Sequence, residues 1–167
     1  SIKRSSYHHG NLREALIDAG IALLTEAGPG AMTLRAAAAR AGVSHAAPAH
    51  HFDGLTGLMT AIAARAFTLF DRAMTDARDA APPDPLARLQ AVCAGYLRFA
   101  EASPQLFRLL FSDPAVNRCD PALNAAGAAA YATLRQACAP FAADPGTAVS
   151  LEATVWSLVH GYAVLRH

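Results

Sequence analysis

The sequence predicts an all-α chain, with a small N-terminal three-helix unit that contains a helix-turn-helix and a larger C-terminal helical bundle. Two observations carry this. Apolar residues recur at helical spacing through long runs such as Leu58, Ile62, Ala66, Leu69, Ala73 and Ala77, and the cap-plus-proline helix start Ser103-Pro104 recurs at Asp120-Pro121 and Asp144-Pro145. A third is negative: no stretch alternates apolar and polar residues between hairpin-type turns.

From the N-terminus, Ser1 to Ser6 carries Lys3 and Arg4 among small polar residues and reads as an arm able to lie along a phosphate backbone, or as a solvated tail. Tyr7-His8-His9 follows; two adjacent histidines on a loop lack the third ligand a metal site needs. Asn11 is a candidate N-cap for a first helix whose Leu12, Leu16, Ala19 and Leu23 share one face, and Gly28-Pro29-Gly30 ends it. Thr33 is the expected cap of a second, alanine-dense helix from Leu34 to Ala41. Gly42 stops that helix by supplying a left-handed backbone, and Val43 plugs the turn. Ser44 is then expected to cap a two-turn helix from His45 to about His51, with Pro48 tolerated because first-turn N–H groups have no internal partner. A bihelical unit with so short and exposed a second helix presents that helix outward.

Asp53 is the expected cap of the next, long helix, which should link head to body. Ala80-Ala81-Pro82-Pro83-Asp84-Pro85 turns a corner. Helices are then expected over Leu86 to Ala100, Pro104 to Phe111, Asp120 to about Ala139, and from Asp144 onward. The last is apolar on more than one face: Leu151, Val155, Leu158, Tyr162 and Leu165 form one stripe, with Trp156, Val159 and Ala163 off it. One face suits the chain's own body and the other a second partner.

Composition bounds the function. With 167 residues the chain is long enough for a proper core, and its alanine-rich 53% apolar content favours close-packed helices. A formal net charge of +1 means that nucleic-acid affinity must come from local placement of charge. Cys93, Cys119 and Cys138 show no metal-type or redox-type pairing and read as thiols in a reducing cytosol. No targeting pattern and no uninterrupted apolar span long enough for a bilayer is read, so a soluble cytoplasmic protein is expected, without membrane, metal or cofactor.

The run Thr33 to Phe52, above all Ala41-Gly42-Val43-Ser44 followed by His51-Phe52, resembles the DNA-binding head of the tetracycline-repressor (TetR) family of bacterial transcription regulators. Val155-Trp156-Ser157-Leu158-Val159-His160-Gly161 resembles the tryptophan-histidine-glycine signature of one ligand-domain subgroup. The resemblance implies a DNA-binding domain over 1–54 and a ligand-binding and dimerisation domain over 55–167. It implies a homodimer through the C-terminal helices, a double-stranded near-palindromic operator and release by a small-molecule inducer. Such families usually add one more helix after the last, so the chain is expected to stop short of the natural C-terminus.

Matched to the family, Arg35, His45 and Ala47 take base-reading positions, with Arg35 suited to guanine O6 and N7. Thr33, Ser44, His50 and His51 take positions on or near the phosphate backbone. Inducer-cavity candidates are Phe67, Phe70, Tyr96, Phe99, Phe107, Phe111, Trp156 and His160, which point to an apolar or aromatic ligand with one or two hydrogen bonds, to His160 or Tyr96. The chain departs from the family at Ala49, where a phosphate-contacting tyrosine is common, and at Leu55, where a lysine is. Those departures leave open a sensor of the same fold with weakened or lost DNA binding. A hydrolase or metalloprotein finds no support: there is no glycine-framed serine, paired ligand motif or phosphate-cradling loop, and no catalytic residue is assigned.

Overall fold

The structure, a computed structural model, describes residues 12–166. The arm at Lys3 and Arg4, the Tyr7-His8-His9 group and the Asn11 cap lie outside the described residues. Among the described residues there are seven α-helices and no strand: α1 (Leu12–Ala27), α2 (Leu34–Arg40), α3 (Gly54–Asp79), α4 (Pro85–Ala102), α5 (Pro104–Ser112), α6 (Pro121–Cys138) and α7 (Pro145–Arg166). Short 3-10 turns occupy Pro29–Ala31, Ala47–His50 and Ala139–Phe141.

Several local signals act as the sequence implies. Thr33 Oγ1 accepts the Ala36 N–H at 3.0 Å, and Asp84 and Asp120 accept those of Ala87 and Leu123, each at 2.8 Å. Asp144 accepts from the backbone of Gly146 and Thr147 and from the Thr147 hydroxyl, which sets the start of α7. Gly42 ends α2 at a φ of +71°, in the region glycine enters without steric penalty.

Three expected caps fail. Ser103 and Asp53 make no side-chain cap bond, and Gly54, at a φ of +64°, opens α3 instead. Ser44 contributes its carbonyl, not its hydroxyl, to the Ala47 N–H. The expected helix from His45 to His51 is a turn followed by the 3-10 segment Ala47–His50. Pro48 is the reason: it has no N–H to send back to the Ser44 carbonyl, so the chain tightens, with Ala47 bonded to Ser44 and Ala49 to Ala46. Buried Pro48 and Phe52 anchor this segment.

α3 organises the molecule. It packs against α1 and α2 at one end and against α4, α5 and α6 at the other, and one contiguous apolar core runs from Leu16 to Ala163. Leu58 and Ile62 complete the core of the N-terminal helices, while Phe70 and Met74 enter the bundle. Arg65 on α3 pairs with Glu14 and, at 3.4 Å, with Asp18, both on α1.

By length and composition alone α7 is long and apolar enough to cross a membrane, with Glu152 interrupting its apolar run. Its Glu152, Val159 and Ala163 are buried against the body. The opposite face is open, with Leu158 75% and Leu165 89% exposed beside Val149, Tyr162 and Val164. Two apolar faces on one helix were expected; the longer stripe is the unpartnered one from Leu158 onward.

Candidate functional site

The first candidate surface is built by α2 and the turn after it. No acidic residue lies between Thr33 and Phe52, so this surface is locally cationic in a nearly neutral chain. Of its two arginines, Arg40 is consumed by a bidentate pair with Glu26, at 2.7 and 2.5 Å. Arg35, one residue into α2, is exposed and makes no ion pair or hydrogen bond among the described residues. Thr33, Ser44, His45 and His50 are exposed around it, and Ala47 is half-buried. The Thr33 oxygen is occupied as a cap, which leaves its hydroxyl proton free to donate.

His51 is placed differently. It is half-buried, 6.4 Å from the Phe52 ring, and lines a cleft of about 500 Å³ between α1, α3 and the start of α6. The Arg13 guanidinium of α1 lies over the Phe52 ring, 5.3 Å from its centroid, and lines the same cleft. Asn117 of the loop after α5 donates its N–H to Thr60 Oγ1 at 2.9 Å, which ties that loop to α3 beside the same cleft.

The aromatic candidates form one connected cluster but not one cavity. Phe70, Tyr96, Phe99 and Phe107 are buried and pack on each other, with Phe70 and Tyr96 edge to face at 4.7 Å. Phe67, Phe111 and Trp156 are half-buried and line an open cleft of about 440 Å³ between α3, α5, α6 and α7. His160 stacks on Trp156 and meets Phe111 edge to face at 4.8 Å.

Tyr96 Oη and His160 Nδ1 are 2.7 Å apart. Burial raises the Tyr96 pKa and lowers that of His160, so both are neutral at neutral pH. Tyr96 Oη has no other hydrogen-bond partner among the described residues, so its proton goes to Nδ1 and the ring proton sits on Nε2. Tyr96→Phe is expected to lower stability by about 1 to 2 kcal/mol in denaturant unfolding, because it strips Nδ1 of its donor. The sign of the pH effect follows from His160. Its folded pKa lies below 6.5, so the unfolded chain takes up the proton first, and stability falls as pH drops below about 6.5 towards the folded pKa.

Sequence reasoning does not single out Arg118, Asn124 or Gly127, which complete the wall of the cleft that holds Phe67, Phe111 and Trp156. No motif frames them, since they come from a loop and one face of α6. It also misses Glu152, a buried carboxylate that accepts from Tyr131 at 2.9 Å. No group of three or more His, Cys, Asp or Glu side chains suited to a metal occurs among the described residues.

Comparison with known proteins adds two independent family matches. Residues 16–62 match "Bacterial regulatory proteins, tetR family", and residues 89–167 match "Tetracyclin repressor-like, C-terminal domain". Among solved structures, the chain is similar to a protein of unknown function from Rhodococcus sp. RHA1, at 29% identity and a TM-score of 0.82, covering 98% of this chain and 86% of that one. It shares its fold with a TetR family transcription regulator from Marinobacter aquaeolei VT8, at 17% identity and a TM-score of 0.60, with coverage of 91% and 85%. It also shares its fold with the multidrug binding protein EbrR, complexed with imidazole, at 24% identity and a TM-score of 0.64, with coverage of 93% and 86%. No curated protein matches the chain.

Proposed function

The chain belongs to the TetR family of bacterial regulatory proteins, and on that premise we propose that it is a repressor, released from a near-palindromic operator when a small apolar or aromatic inducer enters the body. The observation that carries the DNA reading is the contrast on α2: Arg40 is tied down by Glu26, whereas Arg35 stands exposed with no partner among the described residues. An arginine kept free beside a helix N-terminus, with the one carboxylate paired to α2 held by Arg40, is positioned for a guanine edge. Thr33, Ser44, His45 and His50 then supply phosphate or base contacts, and Ala47 a methyl contact. His51 serves at the corner between head and body. The division into a head of residues 1–54 and a body of residues 55–167 fits this reading, with α3 as the shared lever.

Release follows from how the head is attached. α5, which carries Phe107 and Phe111, packs against both α1 and α3, and Arg65 holds α1 to α3. A ligand that repacks the aromatic cluster shifts the population of head orientations through these contacts, so that two heads no longer fit two half-sites. The reading places the chain in the cytoplasm, with the tryptophan-histidine-glycine segment as part of the body's ligand wall.

The exposed face of α7 is assigned to a second copy of the chain rather than to lipid. Gly161 supports this: a Cβ there would meet nothing within 4 Å inside the protomer, so no internal packing explains a helix-weakening glycine, whereas a second helix crossing closely there does. Leu158→Glu is expected to weaken dimerisation by at least about a hundredfold, because the two-fold axis sets like charges against each other. Analytical ultracentrifugation over a concentration series measures it; an unchanged dimer would remove α7 from the interface.

Selection of sites from a random duplex DNA pool at low salt tests the whole reading. Enrichment of a palindrome is expected. Exposed Ala49 and Leu55 motivate the second reading, a sensor with weakened DNA binding. If the parent enriches nothing while Ala49→Tyr combined with Leu55→Lys does, that second reading holds.

A further inference from the structure

We propose that the cleft between α3, α5, α6 and α7 binds a small amphipathic carboxylic acid as its anion, with the apolar body on Phe67, Phe111 and Trp156 and the carboxylate at Arg118 and Asn124. The regulatory meaning of this site rests on the inducer reading above. The binding itself does not.

The floor of the cleft is aromatic. Phe111 meets Phe67 and Trp156 edge to face, each at 5.9 Å, and all three rings are only half-buried, so apolar surface remains for a guest. The wall is low at Gly127, where even a Cβ would sit 3.5 Å from the Phe67 ring and any larger side chain would enter the cleft. A volume of about 440 Å³ suits a small molecule rather than a peptide.

The rim is cationic and fixed. Arg118 donates to the carbonyls of Leu110, Leu109 and Asp113, the last two at 3.2 and 3.3 Å, and so docks at the C-terminal end of α5, where a cation is favoured. These are neutral acceptors. The Asp113 and Asp120 carboxylates each accept one backbone N–H, from Ala115 and Leu123 at 2.8 Å, and neither pairs with Arg118 among the described residues. Arg118 forms no ion pair among the described residues, and no acidic residue lines the cleft. A guanidinium has five N–H donors and the three carbonyl bonds occupy Nη1 once and Nη2 twice, so Nε–H and one Nη1–H remain to meet an anion by a charge-assisted hydrogen bond. The Asn124 side chain, exposed and without a hydrogen-bond partner among the described residues, adds a donor on the α6 side. An aromatic floor alone would also suit a cation, but a fixed positive rim repels one.

Trp156 is the chain's only tryptophan and lies in the cleft, so its emission reports occupancy directly. Purified protein would be titrated at neutral pH with phenylbutyrate and with phenylbutyramide, its uncharged isostere, with calorimetry in parallel. The acid is expected to bind at least about tenfold more tightly than the amide. Arg118→Gln, which removes the charge and keeps an N–H donor, should erase that preference; Arg118→Lys should keep part of it; Gly127→Leu should abolish binding of both. Equal affinity for acid and amide, a preference that survives Arg118→Gln, parent-like binding by Gly127→Leu, or no response to millimolar phenylbutyrate would each overturn the proposal. The titration needs no DNA. A chain that binds the acid but selects no DNA would defeat the regulator reading alone, and one that selects an operator but ignores charge would defeat this proposal alone.

Discussion

Arg35→Ala is expected to lower affinity for the selected operator by about 2 to 6 kcal/mol, since a bidentate arginine–guanine contact is worth roughly 1 to 3 kcal/mol and a dimer makes two. The same substitution should relax sequence preference at one symmetric pair of positions and leave the salt dependence nearly unchanged. A phosphate contact would do the reverse, weakening all sequences alike and flattening the salt slope by about one unit per contact. Gel shifts on the selected site and on single-base variants, over a salt series, separate the two. Arg40→Ala is the control: it breaks an exposed pair with Glu26, worth less than about 1 kcal/mol of stability, and should leave base preference intact. A uniform loss with Arg35→Ala would assign that arginine to the backbone.

Gly95→Ala should be among the most destabilising single changes in the body, at about 3 kcal/mol or more. Alanine is the better helix former by about 1 kcal/mol, so local preference predicts the opposite sign. Packing decides. A Cβ at position 95 would lie 2.4 Å from the Ala73 carbonyl oxygen and 2.8 Å from Met74 Cα, so the clash is with the backbone of α3 itself. Relief requires α3 and α4 to separate, which would also open the Phe70–Tyr96 contact beside them. Gly20 makes the useful comparison. Its added Cβ would also come within 2.4 Å of a neighbour, but that atom is Ile62 Cδ1, and the next is Met32 Cε at 2.9 Å, both ends of flexible side chains. Gly20→Ala should therefore lose only about 1 to 2 kcal/mol. Denaturant midpoints of the two variants, compared at matched slope, test the ranking; equal losses would mean that the α3–α4 approach can relax.

What the sequence determined by itself is short in range. Thr33, Asp84, Asp120 and Asp144 cap their helices, and Gly42 turns left-handed, because each act involves backbone groups two or three residues away. The face periodicity of α3 and α7 was legible for the same reason: a helix repeats every few residues, and its apolar side must find cover. Arg35 could be singled out on the resemblance, but not its freedom, which depends on Glu26 of α1 choosing Arg40.

Tertiary structure decided the rest. The body core divided the aromatic candidates into buried packers and rings at an open cleft. The same core drew Arg118, Asn124 and Gly127 to that cleft from a loop and a helix face that share no motif. Gly95 and Gly20 read alike along the chain and differ only in what stands opposite. A cap or a turn is fixed by covalent neighbours, whereas a cleft, a counter-ion or a close backbone approach is fixed by residues that only folding brings together.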